Sequence, residues 1–326
     1  MSVLVLGEAD VARLLPMHEC IEVMAEALEA LERGEMHQPL RFVVRPPDAA
    51  GLLGLMPAHR AGAEPAFGLK AVCVMPGNPA RGLDAHQGVV LLSDGETGEV
   101  RAVVNASAIT AIRTAAVSAV ATRLLAREDA RELAILGAGV QARSHLEAMA
   151  VVGSFETARI WSRTPEHART LVEQASAPFP IATAASAEDA VRGADVVCTT
   201  TSAREPILRR AWLRDGAHVN AVGSSIPTTR ELDTETMVAA ALFVDRREST
   251  VNEAGDFLFP QREGAIGPEH IRAELGELLA GTAEGRTSPD ELTVFKSLGL
   301  AVEDLAATEY LYRRARETAA GTEVDL

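Results

Sequence analysis

Gly137, Gly139 and Ala142 stand at the spacing Gly-x-Gly-x-x-Ala, directly behind the apolar run Leu133-Ala134-Ile135-Leu136 and ahead of a helical pattern. Strand, tight turn and helix in that order make a candidate dinucleotide site. Gly137 would turn sharply off the strand, Gly139 would admit a pyrophosphate close to the backbone, and Ala142 would let the helix pack near the sheet. Val140 and Gln141, in the first helical turn, join the two glycines as candidate cofactor contacts. In such a unit the tip of the second strand meets the adenosine ribose, where a carboxylate binds the hydroxyls of NAD and Arg or hydroxyl groups suit the 2′-phosphate of NADP. That tip reads Ser162-Arg163-Thr164, with no acidic residue. The expected cofactor is therefore NADPH or NADP⁺, with NAD the less favoured choice. Lys70 interrupts an otherwise apolar strand-like run, a costly residue to bury without a partner or a task, although an outward-facing strand position would also accommodate it. His59 and His86 could relay protons near neutral pH, but lone histidines serve more often as structural hydrogen-bonding groups, and neither is assigned to catalysis.

The elements around these residues fall into two styles. A short strand at 3–6 precedes a helix in which Asp10 caps and Leu14, Ile21, Met24, Leu28 and Leu31 recur at helical spacing until Gly34. Short β-rich segments at 41–45, 52–56, 67–74, 89–92 and 101–104 follow, with Asp94-Gly95 and Thr97-Gly98 supplying hairpin chemistry. That half predicts a largely antiparallel sheet. A helix over 106–126 leads into strands at 133–136, 158–161, 196–200, 217–222 and 242–244. These alternate with helices at 140–152, 165–175, 187–192, 234–240 and 248–257, and the alternation predicts a parallel sheet. A final amphipathic helix over 300–318 could return to the first half. The expected fold is α/β: a Rossmann doubly wound parallel-sheet domain over 116–299, plus an α+β domain with a mainly antiparallel sheet over 1–115, completed by 300–326.

The chain has 326 residues, enough for two domains, and a formal net charge of −15. That balance opposes binding to phosphate backbones and anionic membranes, so neither nucleic acid nor a membrane is an expected partner. Cys20, Cys73 and Cys198 lie far apart with no ligand-type spacing. They read as reduced thiols filling core positions in a cytoplasmic protein, with no metal site. No secretory signal and no apolar run of spanning length is read.

Several segments together resemble the ornithine cyclodeaminase/mu-crystallin family: Gly88-Val89-Val90-Leu91-Leu92, Ile112-Arg113-Thr114-Ala115-Ala116, the glycine turn, Asn220-Ala221-Val222-Gly223, and Phe295-Lys296-Ser297-Leu298-Gly299-Leu300-Ala301-Val302-Glu303-Asp304. The resemblance extends over nearly the whole chain. It implies an N-terminal substrate and dimerisation domain, a homodimer, and small amino- or imino-acid substrates. Arg41 and Arg113 match family arginines that hold a substrate carboxylate, a task suited to the planar guanidinium. Lys70 matches the family's active-site lysine. These three form the expected catalytic set, while Val222, Gly223, Gly299 and Leu300 join the expected cofactor contacts.

Ser225 separates the members. Cyclodeaminases resembling this chain carry an acid–base aspartate at that position, whereas the mu-crystallin-like ketimine reductases carry serine, whose hydroxyl is far too weak a base to deprotonate an ammonium unaided. Asp233 is a poor substitute, because its spacing assigns it to the following helix. The resemblance thus implies NADPH-dependent reduction of an α-imino acid, such as a cyclic ketimine carboxylate, or the related amino-acid dehydrogenase reaction. An ornithine cyclodeaminase and an NADPH-retaining small-molecule binding protein remain as alternatives.

Overall fold

The computed structural model describes residues 2–325, and the chain divides into two compact units. One comprises the chain up to Arg113 together with the chain from Gly299 onward; the other is Thr114–Leu298. The first unit begins with β1 (Ser2–Leu6), α1 (Glu8–Leu14), α2 (Met17–Glu32), β2 (Met36–His37) and β3 (Phe42–Val44). It continues with β4 (Leu52–Arg60), β5 (Ala66–Val74), β6 (His86–Asp94), β7 (Val100–Asn105) and the start of α3 (Ala106–Leu125). The single N-terminal helix expected from the sequence is two, because Pro16 has no N–H with which to continue the first ladder and instead caps the second helix. Asp10 lies inside α1, where its carboxylate accepts the Gly7 N–H at 3.2 Å. The β6–β7 hairpin is fastened as its turn residues predict, Asp94 Oδ1 accepting the N–H groups of Glu96 at 2.9 Å and Thr97 at 2.7 Å.

Alternation along β5 buries Ala66, Gly68, Lys70 and Val72 on one face and leaves Phe67 and Cys73 exposed on the other. Lys70 therefore points inward, and Cys73 is not the core residue expected. A strand side chain every second position makes that outcome a matter of register. Cys20 and Cys198 are buried, and burial pushes the Cys198 thiol up to about 12 and the Cys20 thiol up as well. α3 corrects a second expectation, since by length and composition it is apolar enough to cross a membrane. Its Ala115, Ala116, Val117, Ala119, Val120 and Ala121 are fully buried in the fold, the condition of a core helix that is apolar all round.

The second unit runs β8 (Glu132–Leu136), α4 (Val140–Val152), β9 (Thr157–Trp161), α5 (Pro165–Gln174), β10 (Ile181–Thr183), α6 (Ala187–Val191), β11 (Val196–Thr199), β12 (His218–Ala221) and α7 (Thr234–Ala239). Then come β13 (Ala241–Val244), α8 (Arg247–Glu253), α9 (Gly255–Arg262), β14 (Ile271–Glu274), α10 (Leu275–Leu279) and β15 (Thr293–Lys296). The strands lie in the order β10-β9-β8-β11-β12-β15-β13-β14, every neighbouring pair parallel. Four of them, β11, β12, β13 and β15, are buried at every position, as strands covered on both faces must be. The helix expected over 248–257 is two helices meeting at Ala254.

The chain re-enters the first unit with α11 (Ala301–Thr318) and β16 (Thr322–Asp325). The first sheet has the order β16-β1-β7-β6-β5-β4-β2, with β3 also on β4, and only the β1–β7 pair is parallel. α11 packs against α2 and over β4, β5 and β6. The fold is thus α/β, a doubly wound parallel sheet together with a mainly antiparallel sheet carrying helices.

Candidate functional site

The inward face of β5 brings Lys70 beneath the first turn of α11. Its Nζ donates to the two carboxylate oxygens of Asp304 at 3.2 and 3.3 Å and to Thr110 Oγ1 at 2.6 Å. Arg113, on α3, places Nε 3.1 Å from Asp304 Oδ1 and Nη1 2.9 Å from Glu303 Oε2. Lys70 and Arg113 are each 4% exposed, and the two carboxylates are no more than 1% exposed. Two cations and two carboxylates out of water are tolerable only because each is paired and hydrogen-bonded. Desolvation dominates at Lys70 and lowers its pKa from 10.5 to about 8, with Asp304 resisting and Arg113 assisting.

Arg41, half-buried just before β3, donates from Nη2 to the Gly299 carbonyl at 3.1 Å and lies within electrostatic reach of Lys70. Among these five residues three cations face two carboxylates, a balance suited to an anionic ligand. His86, at the start of β6, has its imidazole pKa pushed down by desolvation first and then by Lys70, against the pull of Asp84. The structure therefore gathers Lys70, Arg113 and Arg41 with Gly299 and Leu300, the last being the buried N-cap of α11. Gly299 and Leu300 belong to the same compact unit as the arginines, whereas the glycine turn belongs to the other.

In the second unit, Gly137 adopts φ +129°, and a Cβ there would lie 2.4 Å from Thr200 Oγ1, so both backbone angle and space require glycine. Its N–H donates to the Trp161 carbonyl at 2.8 Å, which ties the turn to the end of β9 beside Ser162. Gly139 is the N-cap of α4, with no side-chain cap. A Cβ at Gly139 would meet nothing within 4 Å beyond the adjoining chain. That unobstructed glycine stands at the α4 N-terminus, the positive end of the helix dipole, a setting that suits a diphosphate. Val140 is 59% exposed in that first turn, beside Gln141. At the tip of β9, Arg163 is exposed between Ser162 and Thr164, the Ser162 hydroxyl accepting the Thr164 N–H at 3.3 Å. The next carboxylate, Glu166, is occupied with Arg169 at 3.3 Å.

Val222 is buried after β12, and Gly223 is pressed against the Thr201 backbone, where a Cβ would come within 2.0 Å of the carbonyl oxygen. Ser225 is partly exposed in the segment that follows, next to Ser224, whose hydroxyl donates to the Thr229 carbonyl. Asp233 caps α7, accepting the Thr236 N–H at 2.9 Å, a structural duty. Sequence reasoning missed the acidic partners. Glu303 and Asp304 sit inside a quoted family segment, and only their three-dimensional pairing with Arg113 and Lys70 reveals them. Glu231, a fully buried carboxylate in the second unit, had no local signal at all.

Comparison with known proteins completes the picture. The family model described as "Ornithine cyclodeaminase/mu-crystallin family" matches residues 1–319. The ketimine reductase mu-crystallin of Mus musculus is 44% identical over 279 residues, covering 86% of this chain and 85% of that protein. The structure of Thermococcus litoralis Delta(1)-pyrroline-2-carboxylate reductase in complex with NADH and L-proline superposes with a TM-score of 0.96 at 38% identity, covering 99% of this chain and 100% of the other. An archaeal alanine dehydrogenase dimer with bound NAD gives a TM-score of 0.93 at 32% identity, each chain covered completely. On its family match over residues 1–319 and on the fold it shares with these proteins, the chain belongs to the ornithine cyclodeaminase/mu-crystallin family.

Proposed function

We propose that this chain is an oxidoreductase that reduces the C=N bond of an α-imino acid to the corresponding amino acid with a nicotinamide cofactor. The substrate class is a cyclic ketimine carboxylate, such as pyrroline- or piperideine-2-carboxylate. The observation that carries this reading is Lys70: a buried ammonium, held by Asp304 and Thr110, whose pKa of about 8 lets it release a proton near neutral pH. When bound, the cofactor supplies the hydride. Lys70 Nζ supplies the proton to the imine nitrogen, so that hydride and proton together turn C=N into CH–NH. Arg41 and Arg113 bind the substrate carboxylate and fix its orientation, the source of much of the rate in a bimolecular transfer.

The second unit fits the cofactor. The open space at Gly139 and the uncapped α4 N-terminus receive the diphosphate, and Ser162, Arg163 and Thr164 receive the adenosine ribose. An exposed guanidinium flanked by two hydroxyls favours a 2′-phosphate, which selects NADPH, although the two solved relatives hold NADH and NAD. Cyclodeamination of ornithine is the weaker reading, because Ser225 offers a hydroxyl where that reaction needs a base.

The working unit is a homodimer. The outer face of the first sheet exposes Phe42, Val44 and Phe67, and a cavity of about 470 Å³ opens there between Pro57, Phe67, Leu69 and Leu91. Apolar surface of that kind asks for a cover, and a second copy supplies it. The function is tested by mixing the protein with NADPH and a panel of cyclic ketimine carboxylates, and separately with ornithine and NAD⁺. Ketimine-dependent loss of NADPH supports the reading. Ammonia from ornithine with no such loss overturns it.

A further inference from the structure

Glu231 is fully buried on the loop between β12 and α7, and its carboxylate is saturated with donors. Oε2 accepts the Thr199 hydroxyl and the Gly223 N–H, both at 2.7 Å. Oε1 accepts the Thr201 N–H at 2.6 Å and the Thr201 hydroxyl at 2.7 Å. Thr199 ends β11 and Gly223 follows β12, so one side chain fastens the carboxyl-end loops of two adjacent parallel strands. A second layer fixes Glu231 itself. Asp256 Oδ1 accepts the N–H groups of Glu231 at 2.7 Å and Leu232 at 3.0 Å. Its other oxygen lies 3.1 Å from Lys296 Nζ, which donates to the Ala221 carbonyl at 3.0 Å.

The strand order reverses between β8 and β11: β9 and β10 lie on one side of β8, and β11 and β12 on the other. A dinucleotide bound over the carboxyl ends at such a switch point spreads one mononucleotide to each side. The adenosine side is the β8–β9 side, where Arg163 stands. The β11–β12 side, whose loops Glu231 holds, is left for the reacting half.

We propose that Glu231 is a positioning residue that holds the Thr199–Thr201 and Gly223 loops in the shape that receives the nicotinamide half of the cofactor. This inference rests on the reading of the second unit as a nicotinamide-dinucleotide site. The chemistry is specific to a carboxylate. Four donors converge on two acceptor oxygens, so the amide of a glutamine in the same place would turn its NH₂ toward two of them in either orientation. A group that staples the fold without shaping the site would, when altered, affect every ligand alike or none.

The test is calorimetric titration of the full-length protein and its variants. The ligands are NADPH or NADH, whichever the wild type binds, and the adenosine-only fragment, ADP or its 2′-phosphorylated form. Glu231→Gln should raise the Kd of the whole cofactor roughly tenfold or more, the scale of a lost charge-assisted hydrogen bond, while the fragment binds as before. Thr199→Val, which removes one donor and keeps the shape, should act in the same direction to a smaller extent, and it decides the matter if Glu231→Gln does not fold. Equal weakening of both ligands, or of neither, overturns the inference while leaving the cofactor reading intact. A wild type that binds neither dinucleotide removes that reading and the inference with it.

Discussion

Asp304 grips the Lys70 ammonium with both carboxylate oxygens, at 3.2 and 3.3 Å, although the two residues are 234 positions apart. The same carboxylate takes Arg113 Nε at 3.1 Å, so one anion of α11 organises a strand lysine and a helix arginine. Burial draws the lysine toward its neutral form and Asp304 draws it back, leaving its pKa at about 8.

That balance predicts the pH profile. With Lys70 as the proposed proton donor, kcat/KM for ketimine reduction should fall as pH rises through about 8, and amino-acid oxidation should rise over the same range. Asp304→Asn removes the group that raises the lysine pKa, so the reduction limb should move to lower pH. Losing one partner of a buried pair should also cost about 3–5 kcal/mol in unfolding experiments. A profile unmoved by Asp304→Asn would detach Lys70 from the proton transfer.

Stability carries the opposite sign. The Lys70 pKa is depressed in the folded state from 10.5 to about 8, so between those values the unfolded chain holds more protons than the native one. Native stability contributed by this group should therefore rise with pH across that window, having been reduced below it. Urea melts of wild type and Lys70→Met at several pH values measure the difference. A gap between them that stays constant from pH 8 to 10.5 would contradict the assignment.

Arg163 sets the cofactor in this account. Arg163→Asp should weaken NADPH binding by roughly 10- to 100-fold, the range expected for a charge-assisted contact to phosphate, and should spare NADH. Equal NADPH affinity in fluorescence titrations would remove the preference.

The two glycines of the turn should separate by their surroundings. At Gly139, with φ −88° and open space beyond, Ala should leave the melting temperature unchanged while weakening dinucleotide binding. At Gly137, φ +129° and the Thr200 contact make Ala costly to the fold itself, by about 1–3 kcal/mol for the backbone alone. Thermal melts run beside cofactor titrations distinguish the cases.

Much of this was legible in the chain. Strand-helix alternation marked the parallel sheet, although β11 and β12 follow one another with no α-helix between them, and the glycine turn announced itself through a local sequence that only a few backbone shapes satisfy. Pro16 was misread through because helical spacing of Leu14 and Ile21 carries across the break. β14 and β15 are short strands without helices of ordinary length between them, and periodicity over four residues says little. The partners Glu303, Asp304 and Glu231 were hidden for a different reason. Their roles are set by contacts with residues far along the chain, and nothing local distinguishes them from solvated carboxylates.

The central claim is that hydride passes directly to the imine carbon of a cyclic ketimine carboxylate. Mass spectrometry of the product formed from pyrroline-2-carboxylate and NADPH deuterated at both C4 positions tests it. The account predicts proline carrying one deuterium at its α-carbon, formed in step with NADPH loss. Proline lacking the label, or no proline from any ketimine carboxylate while ornithine yields ammonia, would contradict it.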